Sequence, residues 1–397
     1  MEYKFTVNDG NTRLLLIFAG WGMDHHPFES LQCQGYDIAV VWDYRNTFMS
    51  TDAFSRYEEV AVVAWSMGVW GASQWVPECG LPVTLTLAIN GSMSPVSDTC
   101  GIPVAVYDGT MNGLNERSLY KFYRRMCGSN DAMQRFSQSM PQRDIPGLIA
   151  ELQYIKASGP AIDNMRCYKA LISTADAIFP ANNLLTAWHD KTETIVINAP
   201  HMPNWQNIID KYIKNKHLVA RKFRNAIDYD RNADVQRRIA EHLWQLWQKH
   251  MHSRTPESLI EVGCGSGMLT KLYYDKLKPS HMELWDLATS GNLPIPVKEC
   301  DAETAIMSVP TDSVDVVASS STVQWFNSLP RFMQQLARVL RPGGLAVIST
   351  YGNKTFRELA AAGAPCLPYM STEAIRTAVP DEFEILELHD GVITNIF

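Results

Sequence analysis

The stretch Val60-Ala61-Val62-Val63-Ala64-Trp65-Ser66-Met67-Gly68 decides the fold of the first half of the chain. It is an apolar, β-branched run that ends in a variant of Gly-x-Ser-x-Gly, the tight strand-to-helix turn that presents a nucleophilic serine. The turn is strained and crowded, so small residues are needed on either side of the serine. Ala64 and Gly68 meet that need. A tight strand–helix turn without catalysis is the alternative interpretation.

Two later positions supply the partners that such a serine needs. Asp176 follows a predicted strand at residues 169–173, and His201 follows the next one, at 194–198. The order serine, aspartate, histidine is that of α/β-hydrolases. Because loops of a parallel sheet converge at the carboxyl ends of its strands, we predict a catalytic triad of Ser66, Asp176 and His201. His201 would take the serine proton, and Asp176 would orient the imidazole.

An oxyanion hole needs two backbone N–H groups aimed at the developing charge. Met67, at the start of the helix after the serine, is predicted to give one. Trp21, in the glycine turn after a predicted strand at 13–19, is predicted to give the other, although that turn is alternatively a packing turn with a core tryptophan. His25 and His26 lie close behind with no evident partner and are interpreted as surface residues.

Composition limits the class of protein. The chain has 397 residues, 46% hydrophobic and 19% charged, which excludes a disordered chain and indicates two or three domains. The longest apolar stretches are too short for a membrane span, and no secretory signal is visible. Eight scattered cysteines without a Cys-x-x-Cys pair predict no metal site and a reducing cytoplasm. The net charge of −7 does not favour nucleic acid as a partner.

Strands that alternate with helices predict two α/β units, each with a mostly parallel sheet. The predicted strands are 13–19, 37–42, 60–64, 83–89, 169–173 and 194–198 in the first unit, and 258–262, 282–285, 315–319 and 344–349 in the second. Polar residues interrupt the apolar pattern near Lys214 to His217, which divides the chain into domains 1–213 and 214–397. Residues 210–254 carry 11 Lys and Arg against 5 Asp and Glu. This segment is either a solvated helix face or a landing surface for an acidic partner.

The second unit opens with a glycine-rich turn after a strand, Glu261-Val262-Gly263-Cys264-Gly265-Ser266-Gly267. Its spacing differs from the dinucleotide motif Gly-x-Gly-x-x-Gly and resembles motif I of class I S-adenosylmethionine-dependent methyltransferases. Gly263, Gly265 and Gly267 let the backbone pass close under a ligand, and the acidic Glu261 suits a cationic cofactor.

Acidic residues follow the next extended segments. Asp286 ends a predicted strand, where a carboxylate can accept hydrogen bonds from both ribose hydroxyls. Asp301, with Ala302 beside it, follows another short extended stretch and is expected to bind the adenine amino group. The predicted helix 336–344 ends at a Pro-Gly-Gly stop signal. With only about 14 residues and two prolines between Asp286 and Asp301, no full helix is expected there.

The first half resembles the BioG-type pimeloyl-acyl-carrier-protein methyl ester esterases. The matching segments are Phe18–Gly22, Trp42–Arg45, Ala64–Gly68, Asp108–Leu114, Phe122–Arg125 and Ala199–His201. The resemblance implies hydrolysis of the methyl ester at the far end of a C7 chain held on acyl carrier protein. The predicted triad by itself indicates only acyl ester chemistry. Arg124 and Arg125 are expected either to meet the acidic carrier or to solvate a helix.

The second half resembles the BioC-type malonyl-acyl-carrier-protein O-methyltransferases. The matching segments are Phe223–Asp230, Val235–Gln236, the glycine motif, Cys300–Glu303, Val323–Trp325 and Arg341–Gly344. The resemblance implies S-adenosylmethionine as cofactor, a lid that includes Tyr229 and Gln236, and an active-site loop with Gln324 and Trp325. The chain stops at Phe397 inside a predicted strand, so we expect a C-terminally truncated methyltransferase fold.

Three hypotheses follow. The first is a bifunctional enzyme of biotin precursor synthesis that methylates malonyl-acyl carrier protein and later demethylates pimeloyl-acyl carrier protein methyl ester. The second joins an active carrier-protein esterase to a degenerate, non-catalytic methyltransferase-like domain. The third is a small-molecule carboxyl methyltransferase and general esterase that uses no carrier.

Overall fold

The computed structural model of the chain describes residues 1–161, 165, 167, 169–213, 216–225, 229–251, 255–288, 291–357, 367 and 369–391. The chain divides into two compact units, Met1–Ile213 and Lys214–Phe397, and each is described by itself. Among the described residues, no helix has the length and apolar character that a membrane span requires.

The first unit contains a seven-stranded sheet in the order β1-β3-β2-β4-β5-β6-β7. Its strands are β1 (Glu2–Val7), β2 (Arg13–Phe18), β3 (Asp37–Trp42), β4 (Glu59–Trp65), β5 (Val83–Ile89), β6 (Lys169–Ser173) and β7 (Glu193–Ile197). β1 pairs antiparallel with β3, and all other pairs are parallel. The six predicted strands are present within one residue at each end. β1 was not predicted, because this edge strand is half exposed and polar.

In this unit, α-helices follow β4 and each later strand of the sheet. They are α1 (Met67–Trp75), α2 (Val104–Asn112), α3 (Glu116–Cys127), α4 (Asn130–Phe136), α5 (Ile145–Ser158), α6 (Ala181–Trp188) and α7 (Trp205–Tyr212). Every residue of β3 and β4 is buried, which agrees with their continuous apolar sequence. The segment between β5 and β6 holds four helices, α2 to α5, so these neighbouring strands are joined by a long excursion.

The turn from β4 into α1 is the tightest point of the first unit. Ser66 has φ 59° and ψ −128°, a conformation that side-chain-bearing residues rarely adopt. A Cβ atom at Gly68 would lie 2.2 Å from the Phe18 carbonyl oxygen, and one at Gly91 would lie 2.1 Å from the Ser66 carbonyl oxygen. The backbones after β2, β4 and β5 therefore meet at distances that only glycine permits.

Within its described residues, the second unit contains a five-stranded sheet in the order β10-β9-β8-β11-β12, and all of these strand pairs are parallel. Its strands are β8 (Ser258–Val262), β9 (His281–Asp286), β10 (Val297–Glu299), β11 (Val314–Ser320) and β12 (Leu340–Ser349). Its helices are α8 (Lys216–Arg224), α9 (Tyr229–Asn232), α10 (Asp234–His250), α11 (Thr270–Leu277), α12 (Ala302–Ala305), α13 (Leu329–Val339) and α14 (Thr372–Thr377). Two buried apolar clusters form its core.

Two sequence predictions about this unit have different outcomes. The helix predicted to end at the Pro-Gly-Gly signal ends at Val339 instead, because Leu340 is extended, buried and paired with Val314. Residues 341–344 belong to β12, at a register shift in its ladder with β11. Between β9 and β10 the described residues contain no helix, as predicted. The predicted strand near Phe397 falls on residues 392–397, which lie outside the described residues.

A methyl group at Gly68 tests the close approach of β2 to α1. Gly68→Ala places a Cβ against two backbone carbonyl oxygens, so we expect it to lower the free energy of unfolding by about 3 kcal/mol. Gly109→Ala is the matched control, because this glycine lies inside α2 with no atom within 4 Å of its would-be Cβ. The control should be stabilising by roughly 0.5–1 kcal/mol. Urea unfolding midpoints measure both, and equal midpoints would contradict the geometry.

Candidate functional site

The three residues predicted to form a triad lie within hydrogen-bond distance of one another. His201 Nε2 is 2.9 Å from Ser66 Oγ, and His201 Nδ1 is 2.7 Å from Asp176 Oδ2. Ser66 lies after β4, Asp176 after β6 and His201 after β7, so the carboxyl ends of three parallel strands bring them together. Ser66 is 4% exposed and His201 is 1% exposed. The arrangement permits proton transfer from a serine hydroxyl to an imidazole that a carboxylate orients.

Backbone and ring contacts fix the two partners of the serine. Asp176 Oδ1 accepts hydrogen bonds from the N–H groups of Ile178 and Phe179, at 2.7 and 2.9 Å. These bonds leave Oδ2 directed at His201. The Phe179 ring stacks on the imidazole, with ring centroids 5.9 Å apart and an interplanar angle of 6°. The imidazole therefore has both its edge and its face held.

Asn90 is a residue of this site that the sequence analysis missed. It follows β5 with φ 46°, and its Nδ2 donates to the His201 carbonyl oxygen at 2.8 Å. Its Oδ1 accepts from the Ser173 N–H at 2.8 Å. Trp65 Nε1 also donates to the His201 carbonyl oxygen, at 2.9 Å. The available signal was an Asn-Gly pair directly after a buried strand, which indicates a positive φ at a strand end.

The loop with Trp21 lies beside the serine, as an oxyanion loop requires. A Cβ at Gly20 would lie 3.1 Å from Ser66 Cβ. Among the described residues, neither the Trp21 N–H nor the Met67 N–H donates a hydrogen bond. The Trp21 side chain donates from Nε1 to the Leu148 carbonyl oxygen. This indole thus also packs into the core, and the two interpretations of the glycine turn are compatible.

Helix α3 contacts the loops on both sides of the serine. Tyr123 donates its hydroxyl to the Gly22 carbonyl oxygen at 2.9 Å, and the Phe122 ring packs edge-on against Trp21 at 5.0 Å. At the other end of the helix, the Met202 N–H donates to the Met126 carbonyl oxygen at 3.0 Å. α3 therefore connects the loop with Trp21 to the loop with His201.

Arg124 and Arg125 lie on this same helix with exposed side chains. Arg124 approaches the Asn130 side-chain oxygen at 3.4 Å. Arg117 and Lys121 are also exposed on α3. The helix that contacts both loops thus presents four cationic side chains to solvent.

The interpretation of His25 and His26 as surface residues without a partner is wrong. Both are half-buried. His26 Nδ1 lies 2.9 Å from Asp24 Oδ1, and His25 Nε2 lies 3.0 Å from Lys4 Nζ. One potential ligand atom from each of three side chains, Asp24, His25 and His26, lies within 4.8 Å of the other two. The adjacent Lys4 ammonium opposes a bound cation there. Burial, followed by the charges of His26 and Lys4, lowers the pKa of His25.

The second unit contains a cavity of about 260 Å³ at the carboxyl ends of β8 and β9. Most of the predicted cofactor residues line it, and these are Gln236, Glu261, Gly263, Gly265, Asp286, Asp301 and Ala302, together with Trp325 of the predicted active-site loop. Gly263 has φ 70°, and a Cβ there would collide with Thr322. Gly265 has φ 52°, and a Cβ there would meet no atom within 4 Å.

The donors and acceptors of this cavity fit a nucleoside cofactor. Asp286 Oδ2 accepts from the Gly265 N–H at 2.8 Å, and Oδ1 accepts from the Ala288 N–H at 3.1 Å. This orientation leaves carboxylate lone pairs for a diol. Burial raises the pKa of Asp286, and the backbone N–H groups oppose that shift. The Ser266 hydroxyl is buried in the cavity wall and has no partner within the described part of the chain.

Three further residues predicted to bind the cofactor or the acceptor do not line the cavity, or have a side chain outside the described residues. Gly267 is not among the residues that line the cavity. Its φ of 82° lies in the region that favours glycine. Gln324 donates from Nε2 to the Ser321 carbonyl oxygen at 2.6 Å, which fixes its loop. Tyr229 begins α9, but its side chain lies outside the described part of the chain.

Asp301 lies in the cavity wall but already has a partner. Its two carboxylate oxygens accept from Lys216 Nζ at 2.8 and 2.6 Å. Lys216 was not predicted as a site residue, because it lies in the polar stretch that marks the domain boundary. A lysine in such a stretch is ordinarily solvated, so no sequence signal distinguished it.

Glu261 is buried, and its carboxylate is held by the helix that follows the glycine turn. Oε2 accepts from Thr270 Oγ1 at 2.7 Å and from the Tyr273 hydroxyl at 2.5 Å. Burial raises the pKa of Glu261 to about 7, and the two hydroxyl donors oppose that shift. Glu261 therefore ties β8 to α11 as well as lining the cavity.

Fold and sites together define a two-part enzyme class, an α/β-hydrolase-like unit followed by a methyltransferase-like unit. Residues 1–207 match the family of the pimeloyl-ACP methyl esterase BioG, and residues 229–381 match a methyltransferase domain family. The chain belongs to the BioG family through its first half and is a fusion of that BioG-type domain with a BioC-type methyltransferase domain.

The chain is also similar to individual relatives and to a solved structure. The chain is 33% identical over 396 residues to a malonyl-[acyl-carrier protein] O-methyltransferase of Bacteroides fragilis, across 96% of this chain and 80% of that protein. It is 34% identical to an uncharacterized Haemophilus influenzae protein, across 51% of this chain and 93% of that protein. The crystal structure of BioG from Haemophilus influenzae shares 31% identity, with a TM-score of 0.47, across 51% of this chain and 94% of that one.

The raised pKa of Glu261 predicts a pH-dependent stability. The folded value of about 7 exceeds the ordinary value of 4.5, so the folded unit binds the proton more tightly than the unfolded chain. The contribution of Glu261 to the free energy of unfolding is therefore complete below pH 4.5 and is lost as the pH rises through 7. Between pH 5 and pH 8, wild-type protein should lose roughly 3 kcal/mol of unfolding free energy relative to Glu261→Gln, which mimics the protonated carboxyl.

Urea unfolding of the two proteins at pH 5 and pH 8 measures this difference. Glu241→Gln, on the exposed face of α10, is the matched control and should follow the wild type at both pH values. A constant difference between wild type and Glu261→Gln would show that Glu261 does not titrate in this range.

Proposed function

We propose that the chain carries out two opposite reactions on acyl carrier protein. Its first unit hydrolyses the methyl ester of pimeloyl-acyl carrier protein, and its second unit methylates the carboxylate of malonyl-acyl carrier protein. The observation that carries the first half is the hydrogen-bonded series Ser66–His201–Asp176 in a BioG-family unit. The similarity to the Bacteroides methyltransferase, which extends through both units, supports the second half.

In the hydrolase unit, Ser66 Oγ attacks the ester carbonyl carbon while His201 Nε2 takes the hydroxyl proton. The Trp21 and Met67 N–H groups stabilise the oxyanion. His201 then returns the proton to the leaving methoxide, and methanol departs from the acyl-enzyme. Water, deprotonated by His201, attacks this intermediate and releases the free acid and Ser66. Asp176 stabilises the imidazolium in both steps, and the low exposure of the serine and histidine strengthens these interactions.

Carrier binding is assigned to the exposed cationic face of α3. Arg124 and Arg125 would pair with carboxylates of the acidic carrier, because a guanidinium matches a carboxylate in charge and geometry. The same helix contacts the loops with Trp21 and His201, so a carrier bound here would bring its acyl group to the end of the sheet that holds Ser66.

S-adenosylmethionine, when bound in the second unit, supplies an electrophilic sulfonium methyl group. Asp286 would accept from its ribose, the Gly263–Gly265 backbone would pass beneath it, and Asp301 with Ala302 would meet the adenine. Tyr229 and Gln236 would close over it as a lid, with Gln324 and Trp325 at the acceptor side. A malonyl carboxylate is ionised at neutral pH, so we assign no general base, and alignment is the main contribution of the protein.

The esterase proposal is tested by mass spectrometry of the carrier. Pimeloyl-acyl carrier protein methyl ester should lose one methylene mass when incubated with the full chain. Ser66→Ala should lower kcat by roughly ten-thousand-fold, because the nucleophile is gone. Ser73→Ala is the matched control, since Ser73 is also buried but donates only to the Trp70 carbonyl oxygen of α1. Full activity in Ser66→Ala would exclude the triad.

The same assay separates carrier-dependent from general esterase activity. Free dimethyl pimelate and the carrier-bound ester are compared by kcat/KM with the wild-type chain. The carrier-bound ester should be preferred by about tenfold or more if α3 binds the carrier. Equal rates would favour a general esterase without a carrier.

Methyl transfer is tested with labelled S-adenosylmethionine and malonyl-acyl carrier protein. Label should appear on the carrier, and Asp286→Asn should raise the KM for S-adenosylmethionine by about tenfold through loss of a charged acceptor. Asp275→Asn, exposed on α11, is the matched control and should leave KM unchanged. Cofactor binding without transfer would favour a non-catalytic methyltransferase-like domain joined to an active esterase.

A further inference from the structure

One buried ammonium joins two walls of the cavity in the second unit. Lys216, the first residue of α8, is 2% exposed. Its Nζ lies 2.8 and 2.6 Å from the two oxygens of Asp301 and 2.5 Å from Glu303 Oε2. Burying a lysine is costly unless it is paired and hydrogen-bonded. These contacts make the cation specific to this position.

Each carboxylate fixes a different part of the cavity. Asp301 Oδ1 also accepts from the Glu303 N–H at 3.1 Å, so Asp301 caps α12 while it lines the cavity. Glu303 accepts from the N–H groups of Asn327 and Ser328, both at 2.8 Å. These two residues directly follow Trp325 and Phe326, which also line the cavity. A single ammonium thus connects the proposed adenine side with the acceptor loop.

The helix that carries Lys216 forms part of the same cavity. Val219 and Phe223 line it, and they lie three and seven residues after Lys216, on one helical face. The Phe223 ring meets Trp325 edge-on, with centroids 6.1 Å apart. Lys216 Nζ lies 5.9 Å from the centroid of the Phe326 ring. The position of α8 over the cavity therefore depends on contacts at its first residue.

We propose that Lys216 is a positioning residue of the methyltransferase site. Its ammonium orients the Asp301 carboxylate, offsets one of the two negative charges that Asp301 and Glu303 carry when both are ionised, and holds α8 against the acceptor loop. Without it, two neighbouring buried carboxylates repel each other, and the helix loses its attachment. This proposal rests on the proposed use of S-adenosylmethionine. It states that binding of this cofactor depends on Lys216, a residue outside the glycine motif.

Calorimetric binding of S-adenosylhomocysteine to the full chain tests the proposal without any reaction. Lys216→Met should raise Kd by about tenfold or more, the loss of one charged buried hydrogen bond. Lys216→Arg retains the cation and should recover most of that loss. Arg224→Met is the matched control at the other end of α8, where Arg224 is 51% exposed and pairs only at the surface with Glu299. It should bind within about twofold of wild type.

A second readout needs no ligand at all. Hydrogen exchange of the backbone amides of α8 in the unliganded chain should become faster in Lys216→Met. It should remain near the wild-type rate in Arg224→Met and Lys216→Arg. Near-UV circular dichroism establishes that each variant is folded. If Lys216→Met does not fold, Glu303→Gln takes its place, since it leaves Lys216 paired with Asp301. It should keep the Kd for S-adenosylhomocysteine and raise the KM for malonyl-acyl carrier protein.

The outcomes separate this proposal from the proposed function. No binding of S-adenosylhomocysteine by the wild-type chain would overturn the methyltransferase assignment itself. Wild-type binding with an unchanged Kd in folded Lys216→Met would overturn the role of Lys216. A Lys216→Arg variant as weak as Lys216→Met would also overturn it, because charge would then not be what matters. A raised Kd in Glu303→Gln would contradict the division of roles between the two carboxylates.

Discussion

The hydrogen-bonded ladder between parallel strands is the constraint on which both sites depend. Parallel pairing directs the strands that carry the sites the same way, so the residues at their carboxyl ends gather at one edge of each sheet. In the first unit this edge brings together Ser66, Asp176 and His201, although they are far apart in sequence. In the second unit it places the glycine turn after β8 next to Asp286 at the end of β9. Neither site would assemble if one of the strands that carry its residues were reversed.

Much of this arrangement was predictable because its signals are local. Continuous apolar, β-branched runs predicted nine strands within one residue at each end, and a tenth, β12, that begins four residues earlier than predicted. The position of Ser66 after such a run predicted its turn. Residues whose roles depend on distant partners were not predictable in the same way. Lys216 lies in a polar stretch and becomes buried only through Asp301 and Glu303. The half-exposed β1 lacks the apolar run, and the spacing of Gly267 does not distinguish ligand contact from a turn that needs a positive φ.

The two units stabilise their polar groups in different ways. In the hydrolase unit, backbone N–H groups hold Asp176 and two side chains hold the His201 carbonyl oxygen, so hydrogen bonds orient both partners of Ser66. In the methyltransferase unit, buried carboxylates are held by hydroxyls at Glu261 and by one ammonium at Asp301 and Glu303. The first arrangement suits general acid–base chemistry, which needs a fixed proton path. The second suits alignment of a preformed electrophile with an ionised acceptor.

The backbone of Ser66 has a consequence for how this enzyme changes over evolutionary time. With φ 59° and ψ −128°, the proposed nucleophile occupies a conformation that glycine adopts without strain and serine does not. Under the proposed function, selection for ester hydrolysis therefore works against selection for stability at this one position. In a descendant that no longer needed the esterase, drift toward glycine would be favoured by folding alone. A glycine at this turn, in an otherwise intact unit, would indicate a hydrolase that has lost its activity but retained its fold.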